Sequence, residues 1–186
     1  MKFIDIKKKE QGNFIARYDV LYETEDGQPK CYEMISRNKN IRTFEELHGR
    51  EPDAVVLIMH SVDKKRILIN KEFRMATGMW VYNFPAGLID PGEDAETAAA
   101  RELREETGLR LISIDDKIGL SYSAVGFSNE MNVCIVGTCE GEIQMSDSSF
   151  EEIEAGWYTK EEVKELLKTE KFAARTQAYC YMWANN

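Results

Sequence analysis

Apolar and polar positions alternate along the first part of the chain, which is typical of strands with one buried face. Residues 13–23 and 30–36 carry apolar and aromatic side chains in this alternation. The short polar segment between them contains Gly27 and Pro29, and turn residues between two such runs predict a hairpin. The following segment, 38–53, is charged and polar and is interpreted as a linker with little core.

The rest of the chain contains apolar runs typical of strands and longer segments typical of helices. Two runs, 54–59 and 66–70, predict neighbouring strands joined by a turn at Asp63 and Lys64. Residues 95–106 contain no Gly or Pro and are rich in Ala, Glu, Leu and Arg, which predicts a helix. Further strands are predicted at 111–123, 131–139 and 152–158, and further helices at 160–168 and 173–183.

Both ends of the helix predicted at 95–106 are marked in the sequence. Asp94 precedes it and can accept hydrogen bonds from the free N–H groups of the first turn. Gly108 follows it and can adopt the left-handed conformation that ends a helix. The boundaries are therefore predicted as well as the helix.

Three carboxylates fall on one side of this helix. At about 100° per residue, Glu102, Glu105 and Glu106 share one wedge, although neighbouring carboxylates repel at neutral pH. A hard divalent cation accounts for the crowding, because Mg²⁺ takes oxygen ligands and shares them with phosphates. Arg101 stands four residues before Glu105 and is expected to fix the direction of that carboxylate. A solvated acidic helix face is the alternative interpretation.

The same segment carries a family signature. It is Gly, five residues, Glu, seven residues, and then Arg-Glu-apolar-any-Glu-Glu-any-Gly-apolar. On these residues the chain resembles the Nudix hydrolases. The matching positions are Gly87, Glu93, Arg101, Glu102, Leu103, Glu105, Glu106, Gly108 and Leu109.

The resemblance to Nudix hydrolases implies a fold and an organisation of the chain. The implied fold class is α/β: a Nudix-type α/β/α sandwich around a mixed sheet, with a small N-terminal antiparallel sheet. Residues 1–45 are expected to form that N-terminal hairpin or sheet and to contribute to a homodimer. Residues 46–186 are expected to form the Nudix hydrolase domain.

The resemblance also implies Mg²⁺-dependent hydrolysis of a nucleoside diphosphate linked to another moiety, with Mn²⁺ as an alternative cation. By that resemblance Glu102 and Glu106 are metal ligands, and Glu105 is a ligand or a proton acceptor. The backbone carbonyl of Ala86 completes the coordination. Glu93 is expected to steady the loop and the helix start rather than to bind metal.

The flanking residues resemble the ADP-ribose pyrophosphatase branch of the family. In that branch an arginine follows a glutamine-aromatic pair and precedes a Pro-Ala-Gly sequence, which compares with Glu72-Phe73-Arg74 and with Pro-Ala-Gly87 here. The resemblance implies that Arg74 binds the diphosphate, since a guanidinium suits phosphate oxygens, and that Gly87 lies at the substrate. A surface ion pair is the alternative role for Arg74.

A second segment, 126–130, resembles the Pro-Gly-Phe-Ser-Asp-Glu motif of that branch. Val125 stands where those enzymes typically carry proline, which weakens the substrate assignment because the loop shape helps to select the group beyond the diphosphate. Phe127 and Glu130 are expected to bind substrate. For Glu130, contact with metal and a solvated loop carboxylate are the alternatives.

The general base is sought among carboxylates outside and inside the signature. The branch often takes it from an acidic loop before the last strand, which makes Glu151 the first candidate and Glu152 the second. Glu105 is the rival within the signature. An ordinary acidic hairpin is the alternative interpretation of the loop, and a loop that closes over substrate is the functional one.

Charge and composition indicate which ligands and which cellular compartment suit the chain. The formal net charge of −9 argues against a nucleic-acid groove, and it requires that bound cation and local Arg or Lys offset the repulsion of a polyanionic substrate. The four cysteines include no Cys-x-x-Cys pair, which favours free thiols in a reducing compartment. No apolar run approaches the roughly 20 residues of a membrane span, and no signal peptide is evident, so a cytoplasmic location is expected.

The expected reaction is cleavage of a nucleoside diphosphate sugar, with ADP-ribose giving AMP and ribose 5-phosphate. Coenzyme A, a dinucleoside polyphosphate or an oxidised nucleotide are alternative substrates of the same chemistry. A binding module that recognises ADP-ribose without cleaving it is the alternative of a different class. All the signature carboxylates are present, which disfavours that alternative.

Overall fold

The computed structural model describes residues 1–48, 51–145 and 152–186. The chain divides into two compact units. The first comprises Met1–Asp53 with Leu120–Asn132, and the second comprises Ala54–Gly119 with Val133–Asn186. Compactness does not establish independent folding, so the predicted domains 1–45 and 46–186 stay a prediction.

The first unit contains a three-stranded antiparallel sheet. Its strands are β1 (Lys2–Gln11), β2 (Ala16–Glu23) and β3 (Pro29–Ser36), hydrogen-bonded in the order β1-β2-β3. The predicted hairpin corresponds to β2 and β3, and Gly27 in its turn has a φ of 75°, which glycine adopts without strain. Strand β1 was not predicted individually, because only one of its ten residues is buried and its apolar alternation is weak.

The apolar residues of this sheet and of the segment after it form one small core. The segment interpreted as a linker, 38–53, contributes to that core and contains the short helix α1 (Phe44–Leu47), so the interpretation was wrong there. Thr43 and Glu46 form a capping box that starts α1. The core residues are Ile6, Ala16, Tyr18, Val20, Met34 and Ile41.

The second unit contains most of a seven-stranded mixed sheet, and residues 120–122 and 131–132 of its strands are assigned to the first unit. The strands of the sheet are β4 (Ala54–His60), β5 (Arg66–Arg74), β6 (Met79–Asn83), β7 (Ala86–Leu88), β8 (Arg110–Tyr122), β9 (Met131–Glu140) and β10 (Ile153–Thr159). The order is β10-β5-β4-β9-β8, with β6 paired to β5 and β7 paired to β4. The turn between β4 and β5 places Lys64 at a φ of 55°, in the region predicted for the turn.

In the described part of the chain, three helices cover both faces of this sheet. Every residue of β4 is buried, and successive side chains point to opposite faces. Val55 and Leu57 pack in the cluster that includes α2, whereas Val56 and Ile58 pack in the cluster that includes α3 and α4. The predicted α/β/α sandwich with a mixed sheet is therefore confirmed. The helices are α2 (Ala95–Thr107), α3 (Lys160–Thr169) and α4 (Ala174–Asn185).

Helix α2 begins and ends where the sequence predicts. The Asp94 side chain accepts a hydrogen bond from the Thr97 N–H at 2.8 Å, and Gly108 adopts a φ of 73°. The inner face carries small residues that are nearly or fully buried, which allows the helix to lie close to the sheet. That inner face consists of Ala95, Ala98, Ala99 and Leu103.

Two further predictions concern the chain as a whole. All four cysteines are free, as predicted, and three of them are buried. Among the helices of residues 1–48, 51–145 and 152–186, none combines the length and the apolar character needed to cross a bilayer.

Candidate active site

Arg101 joins the acidic residues of the signature. Its Nε and Nη2 atoms donate to the two carboxylate oxygens of Glu93 at 3.0 and 2.8 Å. Its Nη1 donates to Glu102 Oε1 at 2.7 Å and to Glu105 Oε2 at 3.3 Å, as the spacing predicts for Glu105. A further bond, from Nη2 to the Leu88 carbonyl at 2.9 Å, ties the guanidinium to strand β7. One planar group therefore orients three carboxylates and a backbone segment.

The contacts between Glu93 and Arg101 keep both side chains charged. The hydrogen bond from Arg101 lowers the pKa of the Glu93 carboxyl below its ordinary value, and the Asp90 N–H, which donates to the same carboxylate at 3.1 Å, adds to the effect. In turn, the hydrogen bond to Glu93 raises the pKa of Arg101, while partial burial acts in the opposite direction. Glu93 therefore fixes the loop before α2, which is the role predicted for it.

Glu102 lies directly against Gly87. A Cβ atom added to Gly87 would stand 1.9 Å from Glu102 Cδ and 2.1 and 2.2 Å from the two carboxylate oxygens. Gly87 pairs with Val55 in the ladder between β7 and β4, so its backbone is held in place. The glycine at this signature position thus provides the space that the Glu102 carboxylate occupies.

Glu106 is directed by a buried amide. It is 7% exposed, and its Oε2 accepts a hydrogen bond from Asn70 Nδ2 at 2.7 Å. Asn70 lies on β5 and is fully buried, and its Oδ1 has no hydrogen-bond partner in the described part of the chain. Asn70 was not among the predicted site residues. The available signal was a polar residue at the end of the apolar run 66–70.

The residues fit a hard divalent cation in their chemistry. Glu102, Glu105 and Glu106 provide carboxylate oxygens within two turns of α2, and Ala86 lies on β7 beside Gly87. Within the described ranges, no three His, Cys, Asp or Glu side chains have their ligand atoms gathered around one point. Some of these carboxylates must therefore turn from their present partners to bind a cation together. Glu105 is the most accessible, with 43% of its side chain exposed.

Arg74 is placed at the end of β5, in the same unit as α2. Its side chain is 56% exposed, and its Nη1 lies 3.5 Å from Glu72 Oε2. Glu72 is buried and accepts a hydrogen bond from Asn83 Nδ2 at 2.9 Å. An ion pair, the alternative role, is thus present, and the exposed guanidinium leaves the predicted binding of diphosphate as a prediction.

Phe127 and Glu130 belong to the first unit. Glu130 forms an ion pair with Arg37 and accepts a hydrogen bond from Ser123 Oγ at 2.9 Å. The Phe127 carbonyl accepts from the Ile35 N–H at 2.8 Å, which fixes the loop against β3. Their binding of substrate stays a prediction.

The Phe127 ring and Val125 line a cavity of about 260 Å³ within the first unit. Five of the eleven residues that line it carry aromatic or imidazole rings, and Val125, where the chain departs from the motif, also lines it. The ring side chains of this cavity are Tyr22, Tyr32, His48, Tyr122 and Phe127.

Two of the three candidates for the general base can be placed. Glu105 lies at the accessible end of the Arg101 network. Glu152 is exposed, and its carbonyl accepts from the Phe73 N–H at 3.0 Å, one residue before Arg74. Glu151 lies outside the described residues.

Two pyrophosphatases are among the proteins whose sequences are similar to this chain. An ADP-ribose pyrophosphatase of Saccharomyces cerevisiae is 31% identical over 135 residues, which cover 70% of this chain and 54% of that protein. An ADP-sugar pyrophosphatase of Mus musculus is 40% identical over 103 residues, covering 54% of this chain and 44% of that protein. The chain thus spans about half the length of the curated relatives it matches.

A solved structure and a family model also match this chain. The crystal structure of an ADP compounds hydrolase has a TM-score of 0.73 at 18% identity, and it covers 100% of this chain and 93% of that one, which shows a shared fold. The NUDIX domain model matches residues 50–180, which contain the complete signature. The chain therefore belongs to the Nudix family and resembles its ADP-ribose pyrophosphatase branch.

Proposed function

We propose that the chain hydrolyses the diphosphate linkage of a nucleoside diphosphate sugar, with ADP-ribose as substrate and AMP and ribose 5-phosphate as products. The observation that carries the proposal is the Arg101 network, which orients Glu93, Glu102 and Glu105 beside Gly87. Relatives named ADP-ribose pyrophosphatase and ADP-sugar pyrophosphatase support this class of substrate.

The cofactor is Mg²⁺, and Mn²⁺ can replace it. Glu102, Glu106 and the carbonyl of Ala86 hold the cation, and Glu105 joins them or accepts a proton. When bound, the cation neutralises charge on the diphosphate and lowers the pKa of a water molecule. Arg101 and Asn70 would support this arrangement, because each donates a hydrogen bond to a carboxylate proposed to hold the cation.

Arg74 binds the diphosphate. Its exposed guanidinium can form two parallel hydrogen bonds with phosphate oxygens, which aligns the linkage for attack. Glu72 lies beside it and limits the directions in which the side chain extends. Arg74 also supplies positive charge in a chain whose formal net charge is −9.

A carboxylate accepts the proton from the attacking water. Glu151, Glu152 and Glu105 are the candidates, and loss of a general base lowers the rate by about 10²–10⁴-fold. Replacing each by Gln and recording kcat against pH distinguishes them. The variant that loses both the rate and the acidic limb of the profile identifies the base, and an unchanged profile removes that residue from consideration.

A substrate panel tests the function. ADP-ribose, ADP-glucose, coenzyme A, a dinucleoside polyphosphate and an oxidised nucleotide are incubated with Mg²⁺, and the products are resolved by phosphate-sensitive detection. Release of AMP and ribose 5-phosphate, absent with Glu106→Gln, supports the proposal. Turnover of another nucleotide with indifference to ADP-ribose would reject the substrate. Binding of ADP-ribose without product in excess Mg²⁺ would indicate a non-catalytic binding module.

We also infer that the chain forms a homodimer through its N-terminal sheet. The exposed apolar side chains of that region include Ile4, Phe14, Ile15 and Tyr32, and a small sheet with an open apolar surface gains stability from a partner. Light scattering across a concentration series tests this, and a monomer at every concentration would contradict it. The four free thiols support a reducing compartment such as the cytoplasm.

A further inference from the structure

Thr176 connects helix α4 to the strands of the site. It is fully buried, and its hydroxyl donates to Asn83 Oδ1 at 2.9 Å and accepts from the Phe84 N–H at 3.1 Å. Both hydrogen-bonding capacities of the hydroxyl are therefore used on adjacent residues at the end of β6. Water does not readily replace either bond of a buried hydroxyl, so the two bonds fix the positions of both partners.

One branch of these contacts leads towards Arg74. Asn83 is buried, and while its Oδ1 accepts from Thr176, its Nδ2 donates to Glu72 Oε1 at 2.9 Å. The other carboxylate oxygen of Glu72 lies 3.5 Å from Arg74 Nη1. The direction of the Asn83 amide is thus set at both ends, and it fixes which oxygen of Glu72 faces the guanidinium.

The other branch leads towards the signature. Phe84 is nearly fully buried, and its N–H, held by Thr176, begins the segment that continues through Pro85 and Ala86 to Gly87. The Pro85 carbonyl then accepts from Leu57 N–H at 2.8 Å. The hydroxyl of Thr176 therefore anchors the chain two residues before the carbonyl proposed to bind the cation.

Backbone bonds attach the start of α4 to the same strand. The Tyr82 N–H donates to the Lys171 carbonyl at 2.7 Å, and the Ala173 N–H donates to the Tyr82 carbonyl at 2.9 Å. Ala173 precedes the helix and provides no side-chain cap. These bonds hold the helix start on β6 without Thr176, so the threonine is not needed merely to dock the helix.

We propose that Thr176 is a positioning residue, which aligns Arg74 through Asn83 and Glu72 and aligns Ala86 and Gly87 through Phe84. The proposal rests on the proposed function, because that function assigns the roles of Arg74 and Ala86. It adds a residue of the C-terminal helix, remote from the signature in sequence, to the determinants of substrate and cation geometry.

Removal of the hydroxyl has a defined consequence. In Thr176→Val the shape is kept, but the Phe84 N–H and Asn83 Oδ1 lose their partner, and the Asn83 amide is free to turn from Glu72. Loss of such supporting contacts costs about 10–100-fold in affinity or activity. Thr176→Ser keeps the hydroxyl and loses only a methyl group, so it should restore most of the activity.

The test compares Thr176→Val, Thr176→Ser and Cys180→Ala. Cys180 lies one turn further along the same helix and is fully buried, so its truncation destabilises α4 without touching the hydroxyl network. We measure kcat and KM with the preferred nucleotide, the Kd of ADP in Ca²⁺ by calorimetry, and the melting temperature. Thr176→Val should lower kcat/KM by about 10-fold or more and weaken ADP binding, whereas Cys180→Ala should change the melting temperature alone.

A second pair of variants keeps the proposal testable if Thr176→Val does not fold. Glu72→Gln still accepts from Asn83 but loses its charge towards Arg74, so kcat/KM and the affinity for ADP should both fall. Lys71→Gln is its control, because Lys71 is the neighbouring residue and pairs with the exposed Glu154 at 3.4 Å. Equal effects of Glu72→Gln and Lys71→Gln, or none, would overturn the proposal.

The outcomes separate the two proposals. If the unmodified chain does not hydrolyse ADP-ribose, the proposed function fails. If it hydrolyses ADP-ribose or another nucleotide of the panel, and folded Thr176→Val has kcat/KM and ADP affinity equal to those of Cys180→Ala, the positioning role fails. Restoration by Thr176→Ser of what Thr176→Val loses supports the role.

Discussion

Replacement of Gly87 by alanine should remove activity while leaving the fold intact. The added Cβ would stand 1.9 Å from Glu102 Cδ, whereas ordinary contact begins near 3.4 Å, so the carboxylate has to retreat by about 1.5 Å. The clash involves the end of a flexible side chain rather than backbone. The cheapest relief is therefore rotation of Glu102, which is the residue proposed to bind the cation.

Gly87→Ala should change the free energy of unfolding little and the activation free energy much more. Gly87 is not among the glycines with positive φ, so its backbone accepts alanine, and Gly→Ala at such a site stabilises by about 0.4–1 kcal/mol through the unfolded state. This gain offsets part of the cost of turning Glu102 and leaves the free energy of unfolding within about 1 kcal/mol of the parent. In contrast, displacement of a catalytic group by about 1 Å costs roughly 10²-fold in rate, or about 2.7 kcal/mol of activation free energy.

The assay combines three measurements on Gly87→Ala: kcat with Mg²⁺, Mn²⁺ affinity by calorimetry, and the free energy of unfolding in urea. Gly119→Ala is the matched control, because a Cβ at that position meets no atom within 4 Å. The control should match the parent in kcat and in Mn²⁺ affinity. Because Gly119 also lacks a positive φ and its Cβ meets no clash, the free energy of unfolding should rise by about 0.4–1 kcal/mol. A folded Gly87→Ala protein with kcat and Mn²⁺ affinity within threefold of the parent would refute the link between this glycine and the Glu102 ligand.

Three further predictions follow from the site and the core. Glu106→Gln keeps the hydrogen bond from Asn70 but removes a ligand charge, so kcat should fall by on the order of 10²-fold or more at an unchanged melting temperature; retained kcat would show that Glu106 is not a ligand. In Arg101→Lys the single ammonium cannot donate to Glu93, Glu102 and the Leu88 carbonyl at the same time, so Mn²⁺ binding measured by calorimetry should weaken by about 10–100-fold. Unchanged affinity would show that the carboxylates do not need the hydrogen bonds from Arg101. Burial lowers the pKa of His60 in the folded state, so the unfolded state binds a proton at a higher pH than the folded state does. The stabilising contribution of neutral, buried His60 is therefore complete above a pH of about 6.5, and it is lost as the pH falls towards the folded pKa. Urea unfolding between pH 5 and 7.5 should show this loss in the parent and a smaller one in His60→Gln, and identical slopes would contradict it.

Local chemistry explains why helix α2 and its carboxylates could be predicted from sequence. Asp94 and Gly108 mark the ends through short-range hydrogen bonds and backbone conformation, and both act as predicted. The spacing of Arg101 and Glu105 likewise predicts their contact, because residues four apart lie on one face of a helix. Signals of this kind involve residues within one turn of each other and need no knowledge of the tertiary fold.

Short strands and side-chain hydrogen bonds that depend on tertiary pairing were not predicted from the sequence. Strand β7 has three residues and β1 is largely exposed, so neither shows a clear apolar period, and each forms because a neighbouring strand provides hydrogen bonds. Asn70 and Thr176 belong to no motif in the sequence. Their hydrogen-bond partners Glu106 and Phe84 lie 36 and 92 residues away from them along the chain. Only the fold identifies such pairs.

The guanidinium of Arg101 has a consequence for how the protein would acquire the proposed cation. Because it donates hydrogen bonds to Glu93, Glu102 and Glu105 and offsets part of their charge, the acidic helix can form with no ion present, unlike small domains that stay unfolded until they bind metal. Ion binding then adds stability by mass action, about 2.7 kcal/mol at a free concentration 100 times Kd, and does not decide whether the chain folds. On the proposed function, a chain that folds without magnesium would be inactive and would resume turnover when the ion returns.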